Sequence, residues 1–433
     1  MVKPTFYNFF FHWLCIGFFS VGGPSAQISL IHRQFVEKEK WVKPETFRNA
    51  LNFCMLLPGP EAQQLSVYIG WVLFGRFGGL VSGLLFVLPS FFLTILVSYF
   101  YIKHGNLSQL EEIFFGARAA IIAIIVFTIW NIIRFFNFSF FWFFLSLITY
   151  LALSFGIPYP LIILISGCFG VIIYLLSFIS KGLIESKLAL RKTCTSKVFR
   201  ESKLLVPSSK SVFIISLGIV IWGITFVLTY QFLGELVLSL YLFFSKASFI
   251  SFGGAYAVLS YVFEFVVDGK LWLSTEEMAN ILSLGEILPG PLVMVNVITT
   301  FMVSYKYSDI TNYIPEIGAA TVVLIATFLP SFIFVLLGAP VYEKFMKIDL
   351  LKWFMKAISA AVIGILVHLA IRFSENVYLK GQVLSSLPLN IDLPSVALTI
   401  FAIFLLVRVN LSSFATLVCC SILGFFVQRY LNA

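Results

Sequence analysis

Leu57-Pro58-Gly59-Pro60-Glu61-Ala62-Gln63-Gln64-Leu65 interrupts an apolar stretch, and Leu288-Pro289-Gly290-Pro291-Leu292 interrupts another 231 positions later. The register holds around it. Gly22-Gly23 matches Gly253-Gly254, Trp41 matches Trp272, Glu45 matches Glu276 and Asn49 matches Asn280, all at the same offset of 231. About ten residues are then inserted in the second copy, after which Leu88-Pro89-Ser90-Phe91 matches Leu329-Pro330-Ser331-Phe332 at an offset of 241. The chain is therefore two related halves, each with paired Gly/Pro breaks.

The material between the breaks is membrane material. Of 433 residues, 60% are hydrophobic, 50 are Phe and only 11% are charged; soluble domains average about 25% charged. Leu80 to Ile102, Phe135 to Ser180 and Ile317 to Tyr342 contain no Asp, Glu, Lys or Arg. Unbroken runs of this length predict helices crossing a core about 30 Å thick, not the alternating strands of a barrel. Four clean spans are expected in the first half near 80–102, 113–134, 138–155 and 158–179. Four more are expected in the second near 317–342, 352–372, 393–408 and 410–428, with one extra span near 211–233 between the halves. One additional crossing turns the second half over. The expected fold is thus all-α and polytopic, with two inverted-topology repeats, an arrangement that places substrate near the midplane at the repeat interface. The expected division is 1–180 for the first repeat, 181–210 for a basic linker, 211–234 for the extra helix and 235–433 for the second repeat.

Charge orients these pieces. The net charge of +9 does not point to nucleic acid, because eight basic residues between Lys181 and Lys210 fall in the linker. That is the signature of a cytoplasmic loop, with anionic lipid as its everyday neighbour, and it predicts a multi-pass inner-membrane protein. Loop 33–48 carries Arg33, Lys38, Lys40, Lys43 and Arg48, whereas its counterpart carries Asp268, Glu276 and Glu277 against Lys270. The contrast predicts that the broken segments are re-entrant hairpins, entering from opposite faces. The six cysteines have no CxxC spacing, and His12, His32, His104 and His368 are scattered, so no metal or cofactor is expected. The N-terminal apolar run shows no cleavage site before Gly22-Gly23-Pro24 and reads as uncleaved.

Irregular backbone at membrane depth survives only against protein or a water-filled cavity. Pro24 and Pro60 are each placed to start a helix leading away from a glycine-rich break. Helix starts offer free N–H groups and the positive end of the dipole, which favour an anion. Gly22, Gly23, Pro58, Gly59, Gly253, Gly254, Pro289, Gly290 and Pro291 are candidate binding positions on this ground. Polar stripes follow the breaks: Ser25, Ser29 and His32; Glu61, Gln64 and Tyr68; Tyr256, Ser260 and Glu264; Asn296 and Thr300. Such residues line functional interiors or simply bond helix to helix. Glu61 is a candidate proton-coupling acid or a helix cap, without a counterpart, since its partner position is Leu292. Glu286 stands alone in an apolar stretch, where a carboxyl is expected neutral or paired. Arg118 binds the anion or snorkels to the interface, and Arg33 steers anions or is a solvated loop charge.

Phe18-Phe19-Ser20-Val21-Gly22-Gly23-Pro24-Ser25-Ala26-Gln27-Ile28, followed by His32-Arg33 and Trp41, resembles the first signature of the chromate ion transporter family. Leu57 to Leu65 with Tyr68-Ile69-Gly70-Trp71 is similar to the second signature, and Phe252 to Tyr256 and Glu286 to Leu292 resemble the matching elements. The likeness spans both halves, as in the two-domain form of the family, and adds Gln27 to the candidate substrate-binding residues. It departs at Ala255, where the first half has Pro24. The resemblance implies export of chromate from the cytoplasm, with sulfate as the obvious competitor. The residues themselves argue for an anion transporter; chromate enters with the resemblance. A sulfate or other oxyanion carrier or exchanger is the alternative, and a lipid scramblase or a membrane-embedded enzyme stands further off. Proton antiport, exchange and uniport all stay open on the sequence.

Overall fold

The computed structural model describes residues 4–104, 107–136, 140–188, 209–252, 255–307, 314–341, 349–379 and 391–431. Among these the chain is helical throughout. The first half contains α1 (Phe6–Phe19), α2 (Gly23–His32), α3 (Pro44–Cys54), α4 (Glu61–His104), α5 (Ser108–Phe136), α6 (Phe140–Ser154) and α7 (Tyr159–Leu188). The intervening helix is α8 (Ser209–Phe232). The second half contains α9 (Gly234–Ile250), α10 (Ala255–Phe263), α11 (Thr275–Ile287), α12 (Val295–Tyr307), α13 (Ile314–Gly338), α14 (Asp349–Tyr378), α15 (Leu393–Val407) and α16 (Ser413–Leu431). Seven of the helices are long and apolar enough to cross a membrane. α7 runs on to Leu188, eight residues past the expected end of the first repeat at 180, and residues 189–208 lie outside the described residues.

The repeat is visible in local detail. α2 and α10 each relax into a π-helical turn, Arg33–Lys38 and Glu264–Gly269, at the offset of 231. Proline enters α2 and α3 in the first turn, where its missing N–H costs nothing. α11 begins with a capping box: Ser274 Oγ accepts from Glu277 N–H at 3.0 Å, and the Glu277 carboxylate takes Ser274 N–H at 2.7 Å. The insertion separates α12 from α13, whereas in the first half one helix spans both, broken only at Phe74 (φ −132°, ψ 21°) and Gly75 (φ 65°, ψ −156°).

The broken segments turn back on themselves. His12 in α1 hydrogen-bonds Glu39 at 3.0 Å, Trp13 lies 4.7 Å from Phe35, and Phe9 lies 4.8 Å from Phe74. Thus the start of α1, the loop after α2 and the kink of α4 share one face. In the second half Phe243 stacks on Phe265 at 3.8 Å, and Lys306 at the end of α12 reaches Glu277 at the start of α11 at 3.0 Å. Here the shared face is the other one. Asn280 donates to Tyr101 at 3.0 Å, near the far end of α4, and Tyr159 N–H donates to Glu264 at 3.4 Å. The kink at Gly75 and the end of α4 at His104 are separated by roughly 40 Å of helix at 1.5 Å per residue. The two broken segments therefore pack near opposite ends of this stretch of α4. α5 and α14 pack against each other at the centre, and α16 closes on α5 where Gly116 lies against Cys420 and Gly424.

Candidate functional site

The breaks meet across the interface between the halves. Gly59 N–H donates to Ser251 O at 3.1 Å, and Gly290 N–H donates to Ser20 O at 2.8 Å. The two bonds are related by the repeat, since Ser20 and Ser251, like Gly59 and Gly290, are 231 apart. Both glycines need positive φ, 131° and 94°. A Cβ on Gly59 would strike Ser331 Oγ, and a Cβ on Gly290 would strike Ser90 Oγ, each serine belonging to the Leu-Pro-Ser-Phe segment of the opposite half. Ser90 donates to Pro289 O at 2.7 Å; Gln64 Nε2 donates to Pro58 O at 2.7 Å; and Gln27 Nε2 donates to Gly290 O and, at 3.4 Å, to Ser20 O. The loops Pro58–Pro60 and Pro289–Pro291 are thus a buried joint holding the halves together, with their central amides engaged.

Beside this joint lies a cavity of about 330 Å³. Gly22, Gly23, Pro24 and Ser25 enter it at the start of α2, Glu61 at the start of α4, and Ala255 with Tyr256 at the start of α10. Three helix starts therefore converge on one space, and α16 adds Ser413 from a fourth. Gly22 precedes α2 with φ 99°, and no side chain caps that helix, so its first-turn amides have no side-chain acceptor. Thr128 and Asn131 of α5 and Ser359 of α14 supply the other polar groups. Among the described residues lining the cavity there is no Lys or Arg, and Glu61 is the one carboxylate. An oxyanion here would be held by peptide N–H groups, hydroxyls and an amide, aided by convergent dipoles.

Of the residues singled out in the sequence, Gly22, Gly23, Pro24, Ser25 and Glu61 line the cavity. Gly253 and Gly254 lie outside the described residues, although Ala255 and Tyr256 after them line it. Pro58, Gly59, Pro60, Gln64, Gln27, Pro289, Gly290 and Pro291 form the joint. Asn296 is buried and donates to Thr327 at 3.4 Å. Glu286 is 1% exposed; Tyr256 donates to it, and its second oxygen has no hydrogen-bond partner. It stands directly behind the cavity wall, since a Cβ on Gly23 would lie 3.5 Å from that oxygen. Arg33 is exposed on the π-helical turn, away from the cavity. Arg118 is also elsewhere, held by Glu111 at 2.6 Å, by Asn280 at 2.8 Å and by Glu276. Thr128, Asn131, Ser359 and Ser413 were missed. The spacing of Thr128 and Asn131, one helical turn apart in the otherwise apolar run from Ala119 to Ile133, was the available signal.

Helices long and apolar enough to cross a membrane, packed around a cavity where the Gly/Pro breaks meet, make this a polytopic membrane protein. The chain belongs to the chromate transporter family, whose model matches residues 7–171 and 238–425. It is 25% identical to a chromate transport protein of Cupriavidus metallidurans over 399 residues, 92% of this chain and 86% of the relative. It is 27% identical to a chromate transport protein of Pseudomonas aeruginosa over 363 residues, covering 82% and 78%. A probable chromate transport protein of Synechococcus elongatus is 26% identical over 354 residues, covering 82% and 80%. No solved structure matches the chain.

Proposed function

We propose that this chain is a secondary transporter that exports chromate across the inner membrane, holding the dianion in the cavity between the starts of α2, α4 and α10. The observation that carries this reading is the convergence of those helix starts on one cavity. The relatives named for chromate transport supply the substrate. Sulfate, of the same shape and charge, is the expected competitor. The halves act as repeats 1–180 and 235–433, joined by linker 181–210 and the extra helix 211–234.

The position of the cavity supports the export direction. α7 starts on the face of Glu264 and leads toward the basic linker, which is the cytoplasmic side by its charge. The cavity draws on the end of α5 (Phe127 to Ile132) and the beginning of α14 (Met355 to Val362), both in the linker-facing half. Cytoplasmic chromate can therefore enter it. Gly22, Gly23 and Ser25 present the N–H groups of the cradle, and Pro24 between them, which has none, sets the start of the helix. A dianion and an ionised Glu61 repel each other, so occupancy is linked to the charge on Glu61.

Everted membrane vesicles containing the chain, given an imposed ion gradient and no ATP, should accumulate radiolabelled chromate, and excess sulfate should reduce the uptake. Equal uptake by vesicles with and without the chain contradicts the proposal.

A further inference from the structure

The cavity has a collapsed twin. A second void, about 10 Å³, is lined by Ile121, Tyr256, Leu259, Glu286 and Leu369 among others. At offsets of 231 and 241, these five are the counterparts of Val362, Ser25, Ile28, Met55 and Thr128, and all five of those line the 330 Å³ cavity. By the sequence offsets, the small void occupies the matching place in the second half.

Two charge differences between the halves accompany the contrast in volume. The cavity residue Ser359 has Arg118 as its counterpart, and the cavity residue Asn131 has Arg372. Arg118 is only 13% exposed and ties α5 to α11 through Glu276 and Asn280, with Glu111 at 2.6 Å. Arg372 ties α14 to the π-helical turn through Asp268. Each arginine stands one helical turn from a residue of the twin void, Arg118 from Ile121 and Arg372 from Leu369, toward the end of its helix away from the linker. Ser359 and Asn131 offer no charge for an equivalent tie on the linker face.

Resting on the transport reading above, we propose that Arg118–Glu276 and Arg372–Asp268 are the gate that shuts the far mouth of the path. The void beside Leu259 and Glu286 is the exit half of the substrate route. It expands when the arginines release, while the linker-facing cavity contracts around Gly22 and Gly23. Tyr256 and Glu286 form the septum between the two, because Tyr256 lines both spaces and hydrogen-bonds Glu286. The inverted repeat gives the two states similar packing, so a few ion-pair contacts suffice to bias them.

The test uses the full chain in nanodiscs, with native cysteines replaced and one probe at a time, Leu259→Cys or Asn131→Cys, labelled with a water-soluble maleimide. With both arginines present, Asn131→Cys labels quickly and Leu259→Cys slowly. In Arg118→Gln/Arg372→Gln, labelling of Leu259→Cys should rise about tenfold and that of Asn131→Cys should fall. A second measurement keeps the arginines: in proteoliposomes moving chromate down a gradient, labelling of Leu259→Cys should exceed that without chromate. If Leu259→Cys stays unreactive in both experiments while chromate still moves, the gate is wrong and the transport reading stands. If the variant switches labelling but no chromate moves in any preparation, the gate stands and the substrate reading fails.

Discussion

The two Pro-Gly-Pro loops are the same loop used twice, and they are held differently. Each gives its glycine N–H to a serine carbonyl of the opposite half. Yet the carbonyl of Pro289 is taken by Ser90 from across the interface, whereas that of Pro58 is taken by Gln64 of its own half. Ser331, the counterpart of Ser90, is left without a hydrogen-bond partner, and the counterpart of Gln64 is Val295. The backbone joint is what both halves keep, and the side chains around it are where they part. The cavity lies on the side where they part most, with Glu61 in place of Leu292 and Met55 in place of Glu286.

That comparison can be broken at graded cost. The largest effect is expected from Gly290→Val, where a side chain meets Ser90 in a positive-φ backbone. Strain of roughly 1–3 kcal/mol plus overpacking of a similar size should abolish stable folding, read as loss of the monodisperse peak on size-exclusion chromatography. Gly59→Val should behave alike; a well-folded variant at either position would remove the joint from the account. Next is Glu61→Gln. It leaves folding intact and should make the rate of chromate transport nearly independent of pH across the range where the parent responds. A pH profile identical to the parent's would take Glu61 out of the coupling. Smaller still is Ser90→Ala, which leaves Pro289 O unbonded and should cost about 1 kcal/mol, visible as a lower melting temperature in detergent. Smallest is Ser331→Ala, expected to leave the melting temperature unchanged. Equal losses at Ser90 and Ser331 would mean that the loops are held alike.

Much of this was legible in the sequence. The offset of 231 located both joints. Gly/Pro breaks are readable because glycine and proline act locally on the backbone. What the breaks do with their amides was not. The sequence favours bare N–H groups at Gly59 and Gly290, but each finds a carbonyl in the other half, Ser251 and Ser20, nearly two hundred or more residues away. The same distance hid Arg118. Glu111, two turns earlier on the same helix, was in view, but Glu276 and Asn280, which hold the arginine across the interface, lie on a helix from the other half. Thr128, Asn131 and Ser359 were hidden for a different reason. Single polar residues in a membrane helix usually bond to a neighbouring helix, and only the packing of α5 against α14 turns these toward a common space.

The central claim is that the cavity at the start of α2 holds the oxyanion, and it is tested most directly by equilibrium binding of radiolabelled chromate to the purified chain in nanodiscs. Parent protein is compared with Ser25→Phe, whose ring would fill the space beside Gly22 and Gly23. The account predicts saturable binding to the parent, displaced by sulfate, and none to a Ser25→Phe variant that melts at the same temperature. Undiminished chromate binding by that folded, filled variant would contradict it.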